Sequence, residues 1–378
     1  MDILITNIGQ LVTPVSARSA PTAASSLDVL ERTELLIRDG RIAAFGSADQ
    51  RGRVDAEIDA RGGVVLPGLV DPHTHFAPPA EAELAGGPAA VGDRDGAREK
   101  VRGRLRRALR SGVTTVEVKC QTLTELQELS ALLRTGDNAL PEIVATLFGS
   151  APLPGIAHAE RMSGLIGDAI PTARRRRLAQ FCDVECGDGA YGPEEARTIL
   201  RAARAAGLHL KLHAGRGDIG ALARVAAELG VTAVGHLCKL DAGDVVKWKH
   251  AGVLPVLLPG EGLLRGGAYP SAGRMLEAGL PVGLGTNAGA APVATGSMWL
   301  VVALAVSALG MSLEQSIAAV TLHNAHALES AAEIGSVELG KRADLLILDV
   351  EDYRDLLGGL GEDPVRSVVR NGEVVHRR

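Results

Sequence analysis

From residue 68 to residue 309 the sequence alternates short apolar runs with stretches of helical periodicity, and this alternation constrains the fold more than any other feature. GLVDPHTH, VTTVEVKC, EIVATLFG, DVECGD, LHLKLHA, AVGHL, VLPVLLP and PVGLGT read as eight strands. Residues 95–110, 123–134, 193–206, 218–229, 241–251, 271–278 and 297–309 read as helices between and after them. Ser312, followed by Glu314 and Gln315, starts a further helix that runs to Ala319. Strands separated by helices are βα units, and their strands pair in parallel because each crossover returns the chain to the same end. Eight such units predict a (β/α)8 barrel, and 378 residues leave room for one small further unit.

That unit is read from both ends of the chain. DILITNI, TELLIRDGRIAAFG and AEIDARGGVVLPG read as short strands, and so do IGSVELGKRADLLILDV and VRSVVRNGEVV. RDGR at 38–41 and RNGE at 370–373 are Asp-Gly and Asn-Gly hairpin turns. Pro14 to Ser26, rich in Ala, Ser, Thr and Pro, reads as a loop. Neither end is long enough to form a stable β unit alone, so the two are expected to pair in one small β-sandwich. The expected division is residues 1–66 and 334–378 for the sandwich and 67–333 for the barrel.

A net charge of −5 gives no global basic field for nucleic acid, and 2% aromatic residues weakens any stacking on bases. In REKVRGRLRRALR, Val101, Leu105 and Leu109 fall at helical spacing, so the arginines form the solvated face of a barrel helix. Arg174 to Arg177 reads as the start of a surface helix. No apolar run reaches the length of a membrane span, and MDILITNIGQ has neither a basic n-region nor a small-residue cleavage site. Cys120, Cys182, Cys186 and Cys238 are scattered through core-like segments, as reduced thiols are. Together these features predict a cytoplasmic protein with neither nucleic acid nor membrane as partner.

His73 and His75 lie two apart after a β-type run, so both imidazoles face the same way. His213 ends LHLKLHA and His236 ends AVGHL. Active residues of such barrels sit at the C-terminal ends of strands. A lone histidine there is more often a satisfied polar residue than a ligand. The His-x-His pair followed by two more strand-end histidines points to one divalent ion, Zn2+ or Fe2+, with an open position for water. His209, His250 and His323 read as surface or helix positions without a role. Lys119, at the end of strand two, either hydrogen-bonds a substrate or pairs with Glu117 or Glu142. GEGLLRGGAYP reads as a Gly-rich loop after strand seven that a ligand can approach closely. Arg216 and Arg265 are candidates for an anionic group on the substrate, and Tyr269 for lining the same pocket.

MDILITNIGQLVTP, DGRIAAFG, LPGLVDPHTHF, GVTTVEVK, LHLKLHA, GHL, VLLPG, AVTLHNAHAL and GSVELGKRADLLILD span nearly the whole chain. On these segments the chain resembles the amidohydrolase superfamily, and within it the imidazolonepropionases. The resemblance implies a composite β-sandwich and a barrel holding one divalent metal. It implies His73, His75 and His213 as ligands, with position 287 completing the set and His236 steadying the attacking water or the tetrahedral intermediate. The family has an aspartate at 287 that binds the metal and takes the proton of the water. Here it is Asn287. An amide oxygen can coordinate but cannot accept a proton near neutral pH, and loss of a general base typically costs on the order of 10² to 10⁴ in rate.

The pocket departs from the family as well. Imidazolonepropionases carry a glutamate shortly after the strand-five histidine, where KLHAGRGD has Arg216, with Asp218 two residues on. They carry an arginine soon after the His-x-His pair, and FAPPAEAELAGG has none. They carry a histidine in the third-strand loop and a tyrosine after the second-strand lysine; FGSAPLPG and KCQTLTE have neither. These departures imply hydrolysis of a different amide, cyclic amide or amidine, with Asp218, His236 or a substrate group as base. The substrate is then a small molecule or a modified peptide, as for the similar amidohydrolases of peptide natural-product pathways such as bottromycin maturation. Two other readings stand beside this one. Asn287 is an engineered substitution that traps substrate, or the protein is a metal-retaining binding protein or pseudoenzyme. Barrels of this type commonly form homodimers.

Overall fold

The computed structural model describes residues 1–15, 26–46, 54–76, 94–150, 158–187, 189–215, 219–237, 240–265, 269, 272–290, 295–359 and 362–378. Five strands come first: β1 (Ile3–Pro14), β2 (Leu27–Arg38), β3 (Arg41–Gly46), β4 (Ala56–Asp59) and β5 (Val64–Pro67). The barrel strands follow as β6 (Leu69–Asp71), β7 (Val113–Cys120), β8 (Glu142–Gly149), β9 (Phe181–Cys186), β10 (His209–Ala214), β11 (Ala233–Gly235), β12 (Leu254–Leu257) and β13 (Gly283–Leu284). The last three are β14 (Leu345–Leu348), β15 (Val365–Arg370) and β16 (Glu373–Arg377).

Strands β6 to β13 pair in chain order, each parallel to the next, to give the expected (β/α)8 barrel. β7 and β8 coincide with VTTVEVKC and EIVATLFG, buried along almost their whole length as strands covered on both faces must be. Val101, Leu105 and Leu109 of the helix Arg94–Arg110 are buried, while Arg106 reaches out to Asp137 at 2.9 Å. The helix Leu313–Ala318 opens on a capping box between Ser312 and Gln315.

Two local readings are corrected. Arg174 and Arg175 end a helix, Ile170–Arg175, rather than start one, and cations are favoured at a helix C-terminus by its dipole. The segment after strand seven opens as a helix, Pro259–Arg265, not a loop. Proline fixes the first-turn φ there and offsets the low helix propensity of Gly260 and Gly262.

The barrel closes between β6 and β13. Asn287 N–H donates to His73 O at 3.1 Å, and His75 N–H donates to Ala288 O at 2.7 Å. Lower in the seam, the fully buried Asn324 donates from Nδ2 to Val70 O and to Leu284 O, each at 2.6 Å, and accepts from Leu284 N–H at 3.0 Å.

The two ends of the chain unite in a second eight-stranded sheet, in the order β16-β15-β14-β5-β1-β2-β3, with β4 beside β1. Its pairs are antiparallel except β1 with β4 and with β5. Ile3, Ile5, Leu35, Ile37, Leu345 and Ile347 form part of a core of its own. Both hairpins form with left-handed turn residues, Asp39 (φ 47°) and Gly40 (φ 75°), and Asn371 (φ 50°) and Gly372 (φ 76°). Most of the expected loop from Pro14 to Ser26 lies outside the described residues.

Candidate metal centre

Alternation along the barrel strands turns every second residue inward. On β7 these are Glu117 and Lys119, on β8 Thr146 and Phe148, on β9 Asp183, and on β10 Lys211 and His213. Glu117 lies 3.0 Å from Lys119 Nζ and 2.9 Å from Lys211 Nζ, and it accepts from Thr146 Oγ1 at 2.6 Å. Lys119 also pairs with Asp183, and Lys211 donates to Pro72 O at 3.2 Å. Two carboxylates and two ammoniums thus neutralise one another, as buried charges must. Burial works against the charge of Glu117, but Lys119 and Lys211 hold its carboxyl below the usual range. Burial likewise works against Lys119, while Asp183 and Glu117 raise it; at Lys211 burial prevails and lowers it.

The mouth of the barrel gathers four imidazoles. His73, His75, His213 and His236 each offer a ligand atom, and these atoms all lie within 4.8 Å of one another. The glycines around them make the room. A Cβ on Gly235 would stand 2.7 Å from His73 Nδ1, and one on Gly285 3.1 Å from His73 Cβ. Phe148 closes the wall with its ring centroid 5.5 Å from that of His75 and 5.1 Å from that of His213. Burial, then the charge of Lys119 and the neighbouring rings, keeps His73 well below the usual histidine range. Burial and Lys119 bring His75 to about 3. Burial, then His236, His75 and Lys119, holds His213 well below its ordinary value.

Neutral rings with buried lone pairs are what a metal site needs. His73 Nε2, His75 Nε2 and His213 Nδ1 are buried without a hydrogen-bond partner among the described residues, a state that is unfavourable unless something is coordinated there. Asn287 is in the same condition: its Oδ1 is buried and unpartnered among the described residues, while its Nδ2 donates to Glu261 Oε1 at 2.9 Å. Imidazole nitrogens joined by a carbonyl oxygen fit a divalent transition-metal ion.

Of the residues singled out from the sequence, His73, His75, His213, His236 and Asn287 meet at this mouth. Lys119 lies beneath it, and of its two expected partners it finds Glu117, while Glu142 faces Arg342 and Arg370. Tyr269 is half-buried over the helix Pro259–Arg265, where a Cβ on Gly262 would meet its Cε1 at 2.6 Å. Arg216, Asp218 and the side chain of Arg265 lie outside the described residues, as does Cys238. Cys120, Cys182 and Cys186 are buried free thiols. His209 and His250 are exposed, whereas His323 is buried with Nδ1 2.9 Å from Val282 O. Sequence reasoning missed Glu261, whose Oε2 is 3.1 Å from His236 Nδ1. The available signal was an acid two residues after a proline that lies just past a strand. Among the described residues no helix is long and apolar enough to cross a membrane.

Comparison with known proteins gives a consistent result. The sequence model of the amidohydrolase family matches residues 64–375. The imidazolonepropionase of Geobacillus sp. (strain WCH70) is 33% identical, covering 99% of this chain and 97% of that protein. That of Geobacillus kaustophilus (strain HTA426) is 34% identical, covering 97% and 96%. Among solved structures, an adenosine deaminase from Xanthomonas campestris with bound zinc aligns with a TM-score of 0.77 at 19% identity, over 99% of this chain and 92% of that one. E. coli guanine deaminase aligns at 0.76 and 18% identity, over 100% and 99%. At such identities the structural likeness speaks for the fold alone.

Proposed function

The chain belongs to the amidohydrolase family as an imidazolonepropionase-like hydrolase of C–N bonds, and from that premise we propose that it cleaves an amide, cyclic amide or amidine with one bound divalent ion, Zn2+ or Fe2+. The observation that carries this reading is the convergence of four imidazoles at the barrel mouth, with Asn287, whose backbone N–H donates to His73 O, keeping its Oδ1 buried and unpartnered among the described residues. His73, His75 and His213 would hold the ion, with Asn287 Oδ1 as the further donor. When bound, the ion supplies Lewis acidity and lowers the pKa of water.

Hydrolysis joins the oxygen of water to the substrate carbon, breaks the C–N bond and delivers a proton to the departing nitrogen. A side chain must hold that proton in between. The Asn287 amide cannot. His236 can, because Glu261 engages its Nδ1 and leaves Nε2 for exchange. Asp218 is the other residue of this chain we consider for that role. Phe148 and the buried ring faces keep bulk water from the site, which strengthens each polar contact within it. We assign an anionic group on the substrate to Arg216 and Arg265, Tyr269 to lining a pocket for it, and Lys119 to bracing the floor. The pocket departures from the imidazolonepropionases support a different small molecule, or a modified peptide, as substrate. The buried free thiols support a reducing, cytoplasmic setting.

The test is metal analysis of protein purified without added metal, joined to a substrate panel of hydantoins, imidazolones, lactams, amidines and processed peptides. About one equivalent of metal is expected, with turnover lost to a chelator and regained on adding zinc or iron. Protein that holds no metal and turns over nothing on the panel refutes the reading.

A further inference from the structure

Strand order places β12 between β11 and β13. A side chain just beyond the end of β12 can therefore reach residues beyond the ends of both neighbours. Glu261 is such a side chain. It is the third residue of the helix Pro259–Arg265, where the helix dipole favours an acid. One of its oxygens accepts from Asn287 Nδ2 at 2.9 Å, beyond β13, and the other lies 3.1 Å from His236 Nδ1, beyond β11. Both residues it joins have left-handed backbone, His236 at φ 57° and Asn287 at φ 56°, a conformation that persists only where the surroundings hold it.

A carboxamide has two unlike ends, and a carboxylate can only accept. Glu261 therefore selects the end of Asn287 that faces it. The amide NH2 turns to Glu261, and Oδ1 is left buried and unpartnered among the described residues. If the amide were reversed, an oxygen would face the Glu261 carboxylate and an N–H would take the buried, unpartnered place of Oδ1. The same geometry rules on what position 287 tolerates. With aspartate there, an anionic oxygen would replace Nδ2 at 2.9 Å from a Glu261 oxygen. Two carboxylates that close repel strongly when both are ionised.

Resting on the metal-dependent reading above, we propose that Glu261 and Asn287 are a charge-matched pair. The single negative charge of the pair sits at 261 rather than 287, and it positions the Asn287 oxygen toward the metal centre. Asn287 is then the residue this pocket requires, and Asn287→Asp alone adds a second charge instead of restoring an ancestral site. Glu261 is a positioning residue acting through Asn287 and His236.

The experiment is a double-mutant cycle on the full chain with Glu261→Gln, Asn287→Asp and the double variant, read two ways at neutral pH. The first reading is the Tm of metal-free protein. Asn287→Asp should lower Tm by about 3 °C or more, and adding Glu261→Gln should recover at least half of that loss, because the glutamine amide can donate to the new carboxylate. Additive Tm changes overturn the proposal. The second reading is zinc affinity by competition with a chromophoric chelator. Glu261→Gln in the native Asn287 background should weaken zinc about 10- to 100-fold, and an unchanged affinity overturns the positioning role. If Asn287→Asp does not fold but the double variant does, the pair is supported. If neither folds, the zinc affinity of Glu261→Gln decides. Should the native protein hold no zinc or iron, the metal-dependent reading fails while the metal-free cycle still tests the pair.

Discussion

The imidazoles of His213 and His236 lie face to face, with ring centroids 3.8 Å apart and planes within 24° of parallel. His73 stands against both, at 5.0 Å from each centroid. Burial, and then the neighbouring rings and the Lys119 ammonium, disfavour protonation of His73 and His213. In the metal-free fold His73, His75 and His213 are therefore neutral at pH values where the unfolded chain binds protons on all three. Their contribution to stability is complete above about pH 6.5 and is lost as pH falls, for His75 down to about 3. Asp71 opposes them. Burial raises its carboxyl to about 7, so it releases a proton on unfolding at mildly acid pH. His326, which burial lowers to about 4, adds to the uptake, so unfolding binds more protons than Asp71 releases. Urea unfolding of metal-free protein should lose stability as pH falls from about 6 to 5, by roughly 1.4 kcal/mol per pH unit for each proton of net uptake. A flat profile across that interval would show that the rings are protonated or solvated in the fold.

Gly235 tests whether His73 is a ligand without touching His73. An added Cβ would stand 2.7 Å from its Nδ1 and 2.8 Å from its Cε1, and Gly285 on the other side leaves little room for retreat. Gly235→Ala should displace the ring, cost about 1–3 kcal/mol in stability and weaken metal binding at least about tenfold. Chelator competition checks it. Native affinity in a variant with a displaced ring would remove His73 from the ligand set.

Much of this was legible in the sequence, and the exceptions have physical reasons. β7 and β8 could be read directly because strands buried on both faces are continuous apolar runs. The histidines could be found because strand ends and a two-residue period fix where they point. Glu261 was missed because GEGLLRGG reads as a Gly-rich loop. Its glycines serve packing instead. A Cβ on Gly260 would stand 2.3 Å from Thr295 Cγ2, and one on Gly262 2.6 Å from Tyr269 Cε1. The choice between Glu117 and Glu142 as partner of Lys119 was also closed to sequence reasoning, since it depends on which residue faces the barrel axis. Glu117 does, and Glu142, at the start of β8, reaches Arg370 at 3.7 Å outside.

Glu117 is the common partner of two buried ammoniums, so its removal should be felt through both. Glu117→Gln keeps the shape and one acceptor but leaves Lys119 and Lys211 short of charge. Breaking a buried pair in this way costs about 3–5 kcal/mol. The denaturation midpoint should fall accordingly. A second substitution, Lys211→Met, made in the Glu117→Gln background should cost less than it does in the native protein, because the two residues share one network. Additive losses would show that the charges act independently.

The seam of the barrel carries the most demanding prediction. β13 contains only two residues and, among the described residues, forms no ladder with β6, so the first and last strands depend on other groups to stay together. Beside the backbone bonds of His73, His75, Asn287 and Ala288 and the Thr286 N–H to Asp71 contact, the Asn324 side chain is the group that satisfies the carbonyls of Val70 and Leu284 and the N–H of Leu284 at once. Each of those backbone groups is buried, and a buried group left unpaired costs about 1–3 kcal/mol. Asn324→Leu should thus lower stability by roughly 3–5 kcal/mol even though it adds apolar volume. Asn324→Asp should fare no better, because a carboxylate would face two carbonyl oxygens where an NH2 group now donates. His73 and Asn287 lie just above the same seam, so metal affinity should fall with stability in both variants. Hydrogen exchange at Leu284 gives the local readout, with its amide proton becoming labile in Asn324→Leu. If that proton stays protected and the denaturation midpoint moves by less than about 1 kcal/mol equivalent, Asn324 is not what holds the two strands together.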